Sequence, residues 1–252
     1  MPAREGMENQ EKTMGAMSKR QEAGDRAKIL ILHGWSYSTE KWEPFLNLMK
    51  DKDLNPQLLS IPGLTEPTDR VWTLEDYVEW LKEKVGQRKT ILIGHSNGGR
   101  LALAFALKYP GLTKHLVLID SAGIRHNELP IRLKRFVFKS LAKFGKKLTS
   151  SEAVRNFFYK LARVSDYKEA GPEMRETMVN LISADLTPDL HRITTPTLII
   201  WGREDRITPF SDAKLMYELI PNSRIHIIKG ARHSPQFTHP KEVCAKIVEE
   251  LK

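Results

Sequence analysis

Apolar residues follow two rhythms along this chain. Short unbroken runs such as Ile29-Leu30-Ile31-Leu32, Ile91-Leu92-Ile93 and Leu198-Ile199-Ile200-Trp201 predict strands buried on both faces, the signature of a parallel sheet covered by helices. Further strand signals lie at 57–61, 115–119 and 224–228. Between them the apolar positions fall three or four apart. Trp42, Phe45, Leu46 and Met49 form one such set, and Tyr77, Val78, Trp80, Leu81 and Val85 another. This is the spacing of a helix with one buried face. Thr73 and Asp76 stand three apart before the second set and predict a capping box. Further helices are predicted over 100–108, 211–219 and 240–251. The alternation gives an α/β fold, a doubly wound and mostly parallel sheet of about six strands.

The rhythm breaks twice. Residues 1–25 are polar, without periodicity, and carry Met1, Met7, Met14 and Met17; they read as a mobile tail or as start-site ambiguity. From 125 to 190 no strand signal occurs, only amphipathic segments with Phe136, Phe138, Phe157, Phe158, Met174 and Met178. The expected organisation is therefore a core formed by 26–124 and 191–252, interrupted by a helical cap over 125–190.

Length and composition narrow the class. The 252 residues suffice for one domain with a sizeable core. The single cysteine, Cys244, excludes an internal disulfide framework and suits a reducing compartment. With no signal-peptide pattern and no bilayer-length apolar run, the expected location is the cytoplasm. The net charge of +9 changes the picture only locally. Arg125, Arg132, Lys134, Arg135, Lys139, Lys143, Lys146 and Lys147 face Glu128 alone in one stretch. Such a stretch is either a solvated helix face or an attractor for an anionic partner, whether a charged substrate, an acyl carrier protein or an acidic lipid surface. No nucleic-acid reader motif accompanies it, so no nucleic acid is expected.

The candidate chemistry sits where the third strand ends. Gly94-His95-Ser96-Asn97-Gly98 is a G-x-S-x-G pattern placed between a strand and a helix, a turn that forces the serine outward and needs small neighbours. A serine hydroxyl attacks only when a base removes its proton, and a carboxylate fixes that base's tautomer. Two late loops each follow a buried strand and supply Asp205 and His233, giving the order Ser96, Asp205, His233. Glu204 and Asp120 are competing acids. His33, His95 and His226 are expected to shape loops or pack, and His115, His126, His191 and His239 to lie at the surface or at caps. An oxyanion would need two donors; the backbone amides of Asn97 and Trp35 are placed to supply them.

Four blocks carry a resemblance to the α/β-hydrolase superfamily, in the family's order: Leu32-His33-Gly34-Trp35, Gly94 to Gly99, Gly202-Arg203-Glu204-Asp205, and Gly230-Ala231-Arg232-His233. The resemblance implies Ser96 as nucleophile, His233 as general base and acid, Asp205 as orienting acid, and the amides of Trp35 and Asn97 as oxyanion hole. It also implies that the 125–190 segment is a cap over the site. Two departures are visible. The polar N-terminus cannot easily supply the antiparallel pair that opens the family's eight-stranded sheet. The serine also sets the chain apart from the epoxide-hydrolase and dehalogenase branches, which use aspartate.

The expected activity is hydrolysis of a small carboxylic ester through an acyl-enzyme, with no cofactor and no metal. Carbon–carbon bond hydrolysis, thioester hydrolysis and acyl transfer use the same constellation. A non-catalytic ligand receptor on the same fold is the reading from another class.

Overall fold

The computed structural model describes residues 27–36, 38–125 and 171–252. The expected tail and most of the basic stretch lie outside them. Six strands form one sheet: β1 (Lys28–Leu32), β2 (Pro56–Leu58), β3 (Thr90–His95), β4 (Thr113–Ile119), β5 (Thr197–Gly202) and β6 (Ser223–Ile228). Their order is β2-β1-β3-β4-β5-β6, and every neighbouring pair is parallel. The sheet thus has the six strands expected from the sequence.

Because successive strand residues point to opposite faces, each apolar run is divided between two cores. Leu30, Leu32, Leu92, Leu116, Leu118, Ile199 and Trp201 go to one side. Ile29, Ile31, Ile91, Ile93, Val117, Ile119, Leu198 and Ile200 go to the other. Helices α2 (Leu74–Val85), α3 (Asn97–Lys108) and α5 (Phe210–Leu219) contribute to the first core, for example through Leu81, Phe105 and Met216. Helices α1 (Glu43–Lys50) and α6 (Pro240–Glu250) close the second with Phe45, Met49, Val243, Cys244 and Ile247. The continuous apolar runs follow directly from burial on both faces.

Helix α2 begins at the capping box read from the sequence. Thr73 Oγ1 accepts from the Asp76 amide at 3.1 Å, and Asp76 Oδ2 accepts from the Thr73 amide at 2.8 Å. Within the expected cap the described part holds α4 (Pro172–Ser183), and a 3-10 turn over Thr187–Arg192 straddles its expected end at 190. Thr177 Oγ1 accepts from the amide of Trp72 at 2.8 Å, which ties α4 to the loop before α2. No helix among the described residues is long and apolar enough to cross a membrane.

The strand order changes direction at β1 and β3: the chain moves outward to β2, then returns to the other side of β1. In open α/β sheets a crevice forms at this switch, beyond the carboxyl ends of the strands. Leu32 pairs with Gly94, so the residues following β1 run beside His95 and Ser96.

Candidate active site

Ser96 is the residue between β3 and α3, with φ +53 and ψ −120. A side chain in this left-handed region is strained by about 1–3 kcal/mol, and the surroundings hold it there. The Ser96 amide donates to the Ile119 carbonyl at 3.0 Å, and its carbonyl accepts from the amides of Gly99 and Ala122 at 3.0 and 2.9 Å. Two glycines make the tight reversal sterically feasible. A Cβ on Gly98 would overlap the carbonyl of Leu32, and one on Gly94 would lie 2.5 Å from the Gly99 Cα.

His233 follows β6 and reaches back to the serine. Its Nε2 lies 2.9 Å from Ser96 Oγ, and its Nδ1 lies 2.7 Å from Asp205 Oδ2. Asp205 follows β5 with a fully buried carboxylate. Oδ1 accepts from the amides of Ile207 and Thr208 at 2.7 and 3.3 Å, and Oδ2 accepts from Thr208 Oγ1 at 2.7 Å. This is an Asx-type turn, in which a short carboxylate organises the loop it stands on. Because Asp205 can only accept, Nδ1 carries the proton and Nε2 presents a lone pair to the serine hydroxyl. Glu204, the neighbouring candidate, is exposed.

Asp120, the other candidate acid, is fully buried at the end of β4 but bonds elsewhere. Oδ1 accepts from the amide of Gly202 at 2.8 Å and Oδ2 from the amide of Ser234 at 2.9 Å. Burial pushes its carboxyl up to about 7; the Asp205 charge adds to the rise, while the two amides and His233 oppose it.

The remaining histidines divide by environment. His95 is buried beneath the elbow, 4.9 Å from the His233 ring between centroids, with Nε2 3.3 Å from Ser234 Oγ. Burial, then the neighbouring His233 and His33, hold it well below the ordinary imidazole value. His33 donates from Nδ1 to the Gly34 carbonyl at 2.7 Å, leaving Nε2 to accept from Thr65 Oγ1 at 2.9 Å. Burial lowers its pKa too. It therefore shapes the turn after β1 as a neutral ring. His226 lies on β6 and pairs with Glu242 at 2.8 Å. His115 lies in β4, the strand expected at 115–119, half-buried and with its Nδ1 enclosed.

The expected oxyanion donors border the serine. Asn97 is the first residue of α3, where the helix dipole favours negative charge. Trp35 directly follows Gly34, and a Cβ on Gly34 would stand 3.0 Å from Ser96 Cβ.

Among the described residues, His95, Asp120 and His233 bring one potential metal-ligand atom each within 4.8 Å of one another. Five of their six side-chain polar atoms have protein partners. Both Asp120 oxygens accept amides, His233 spans Asp205 and Ser96, and His95 Nε2 faces Ser234. The donor set fits a hydrogen-bonded relay better than a metal centre.

Sequence reasoning missed Thr208. Its Oγ1 lies 2.7 Å from Asp205 Oδ2, 3.1 Å from the Asp120 carbonyl and 3.3 Å from His233 Nδ1. The signal available was a threonine three residues after an aspartate at a strand end, the spacing of a side-chain-closed turn.

Known proteins align with this chain over most of its length. A monoacylglycerol lipase of Homo sapiens is 23% identical over 259 residues, covering 90% of this chain and 76% of its own. A 2-hydroxy-6-oxononadienedioate/2-hydroxy-6-oxononatrienedioate hydrolase of Comamonas testosteroni is 24% identical, covering 86% and 85%. Among solved structures, MenH from S. aureus superposes with a TM-score of 0.67 at 22% identity, covering 89% of this chain and 93% of that one. The serine elbow and all of the six parallel strands except Lys28 fall inside residues 29–246, which match the profile of the alpha/beta hydrolase family, and this chain belongs to that family.

Proposed function

We propose that this chain is a serine hydrolase of carboxylic esters, with Ser96 as nucleophile, His233 as general base and acid, and Asp205 as orienting acid. The observation that carries the reading is the unbroken hydrogen-bonded row from Ser96 Oγ through His233 to Asp205, at 2.9 and 2.7 Å. His233 Nε2 takes the hydroxyl proton as Ser96 Oγ attacks the ester carbonyl. Asp205 stabilises the resulting imidazolium. The amides of Asn97 and Trp35 receive the oxyanion, and His233 returns the proton to the departing alcohol. Water then enters, loses a proton to His233 and attacks the acyl-enzyme, releasing the acid and restoring the serine.

The basic 125–147 stretch favours an anionic substrate, an acyl carrier protein or an acidic lipid surface as partner. The lone buried cysteine accords with cytoplasmic residence. Carbon–carbon bond hydrolysis is the second reading, favoured by the name of the Comamonas testosteroni relative.

A fluorophosphonate probe and a substrate panel test both readings. The panel contains p-nitrophenyl esters, monoacylglycerols and a meta-cleavage product. Labelling and ester turnover that vanish in Ser96→Ala support the proposal. Wild-type protein that neither labels nor turns over an ester refutes it, and turnover confined to the meta-cleavage product moves the assignment to the second reading.

A further inference from the structure

We propose that Asp120 is a positioning residue. Its carboxylate ties the loop that carries Asp205 to the loop that carries His233, and so sets the alignment on which Ser96 depends. The inference deepens the ester-hydrolase reading and rests on it for its kinetic arm.

The sheet order puts β4 between β3, which ends at the serine, and β5, which leads to Asp205. Asp120 therefore stands at the centre of the strand ends that hold the three groups. Its backbone is already fixed to one neighbour, with its amide donating to the Ile200 carbonyl at 3.0 Å. Its side chain reaches both remaining loops. The Gly202 amide, 2.8 Å from Oδ1, marks where β5 gives way to the Asp205 loop. The Ser234 amide, 2.9 Å from Oδ2, belongs to the residue after His233. Ser234 has φ +111, a left-handed conformation that a serine does not adopt unaided. The bond from Asp120 helps hold that turn, and His233 with it. Thr208 closes the circuit, with its hydroxyl touching the Asp120 carbonyl, Asp205 and His233.

Hydrogen-bond chemistry explains why an acid occupies this place. Both partners are N–H donors, so both oxygens must accept. A carboxylate, the form Asp120 takes above about pH 7, does this; a carboxamide has one acceptor and would turn its own N–H₂ toward an amide donor. The same bonds separate the role from that of a spare acid: Asp120 engages backbone amides, while His233 Nδ1 faces Asp205. The titratable groups around Asp120 are His95 from β3, Asp205 from the β5 loop and His233 from the β6 loop.

The test compares the full chain carrying Asp120→Asn, Asp205→Asn, both changes or neither. Circular dichroism melts, p-nitrophenyl acetate kinetics and the far-downfield proton resonance of His233 Nδ1–H are recorded for each. Asparagine tolerates the left-handed backbone, φ +42, that Asp120 adopts, so the variant isolates the lost acceptor. The expected result is a folded protein with kcat reduced up to about 100-fold and KM little changed, and a shifted or broadened His233 resonance. On the Asp205→Asn background the same substitution should cost much less, because the alignment it serves is already broken.

Normal kcat in folded Asp120→Asn overturns the proposal. So does an equal loss on both backgrounds, and a larger loss on the Asp205→Asn background identifies a spare acid instead. If the asparagine variant does not fold, Asp120→Glu keeps two acceptors displaced by one methylene; unchanged kcat and resonance in it overturn the proposal. The resonance is read independently of turnover. A wild-type chain inactive on esters refutes the functional reading, whereas an unchanged resonance in Asp120→Asn refutes this one.

Discussion

Ser96 Oγ and His233 Nε2 stand 2.9 Å apart although 137 positions separate the two residues in the chain. The contact is made by the sheet and not by either loop alone. Parallel strands deliver all their carboxyl ends to one edge, so residues that follow β3, β5 and β6 meet there.

The His233 tautomer depends on Asp205. With Asp205 replaced by asparagine, the amide N–H₂ can face Nδ1 and stabilise the tautomer that carries its proton on Nε2. That proton points at the serine hydroxyl and removes the base. Esterase kcat is expected to fall by about 10⁴-fold with the fold preserved. Steady-state kinetics beside a thermal melt check this, and a loss below tenfold would remove Asp205 from its role.

The elbow yields a second prediction. Gly98→Ala places a methyl group against the Leu32 carbonyl, and neither backbone segment can yield without moving a strand or the helix start. Overpacking of this kind costs about 1–3 kcal/mol. The displaced elbow should also lower kcat. Urea unfolding and ester kinetics measure the two effects, and an alanine variant equal to wild type in both would show that the turn has slack.

Part of this structure was legible in the sequence because it rests on local rules. Unbroken apolar runs announced strands buried on both sides, and Leu92 and Ile93 do face opposite cores. The G-x-S-x-G spacing announced a turn that only small residues allow. Other features depend on long-range contact and leave almost no local trace. Asp120 reads as a polar residue closing a strand; nothing near it announces bonds to amides 82 and 114 positions away. Thr208 reads as an ordinary loop threonine until three strand ends converge around its hydroxyl.

The capping box supplies a prediction that separates stability from chemistry. Thr73 and Asp76 satisfy each other's amides at the start of α2, remote in sequence from every proposed catalytic group. Thr73→Ala should destabilise the fold by about 1 kcal/mol and leave kcat unchanged below the melting range. A destabilised variant that also loses turnover would show that α2 is coupled to the site.

Asp120 gives the last prediction, and its direction follows from linkage. Its carboxyl is raised to about 7 in the folded chain, whereas in the unfolded chain it releases its proton in the ordinary carboxylate range. Between those limits the folded state holds a proton that the unfolded state has lost. Stability from this group therefore falls as pH rises, up to about pH 7, and levels off above it. His95 and His33 act in the opposite sense: their lowered pKa values cost stability as pH falls through the ordinary imidazole range. Both remain in Asp120→Asn, so subtracting the variant's curve from that of the wild type isolates the carboxyl. Urea unfolding of the two proteins between about pH 4 and 8 should show the wild type losing ground to the asparagine variant as pH rises. Parallel curves would mean that Asp120 ionises in the fold as readily as it does in the open chain.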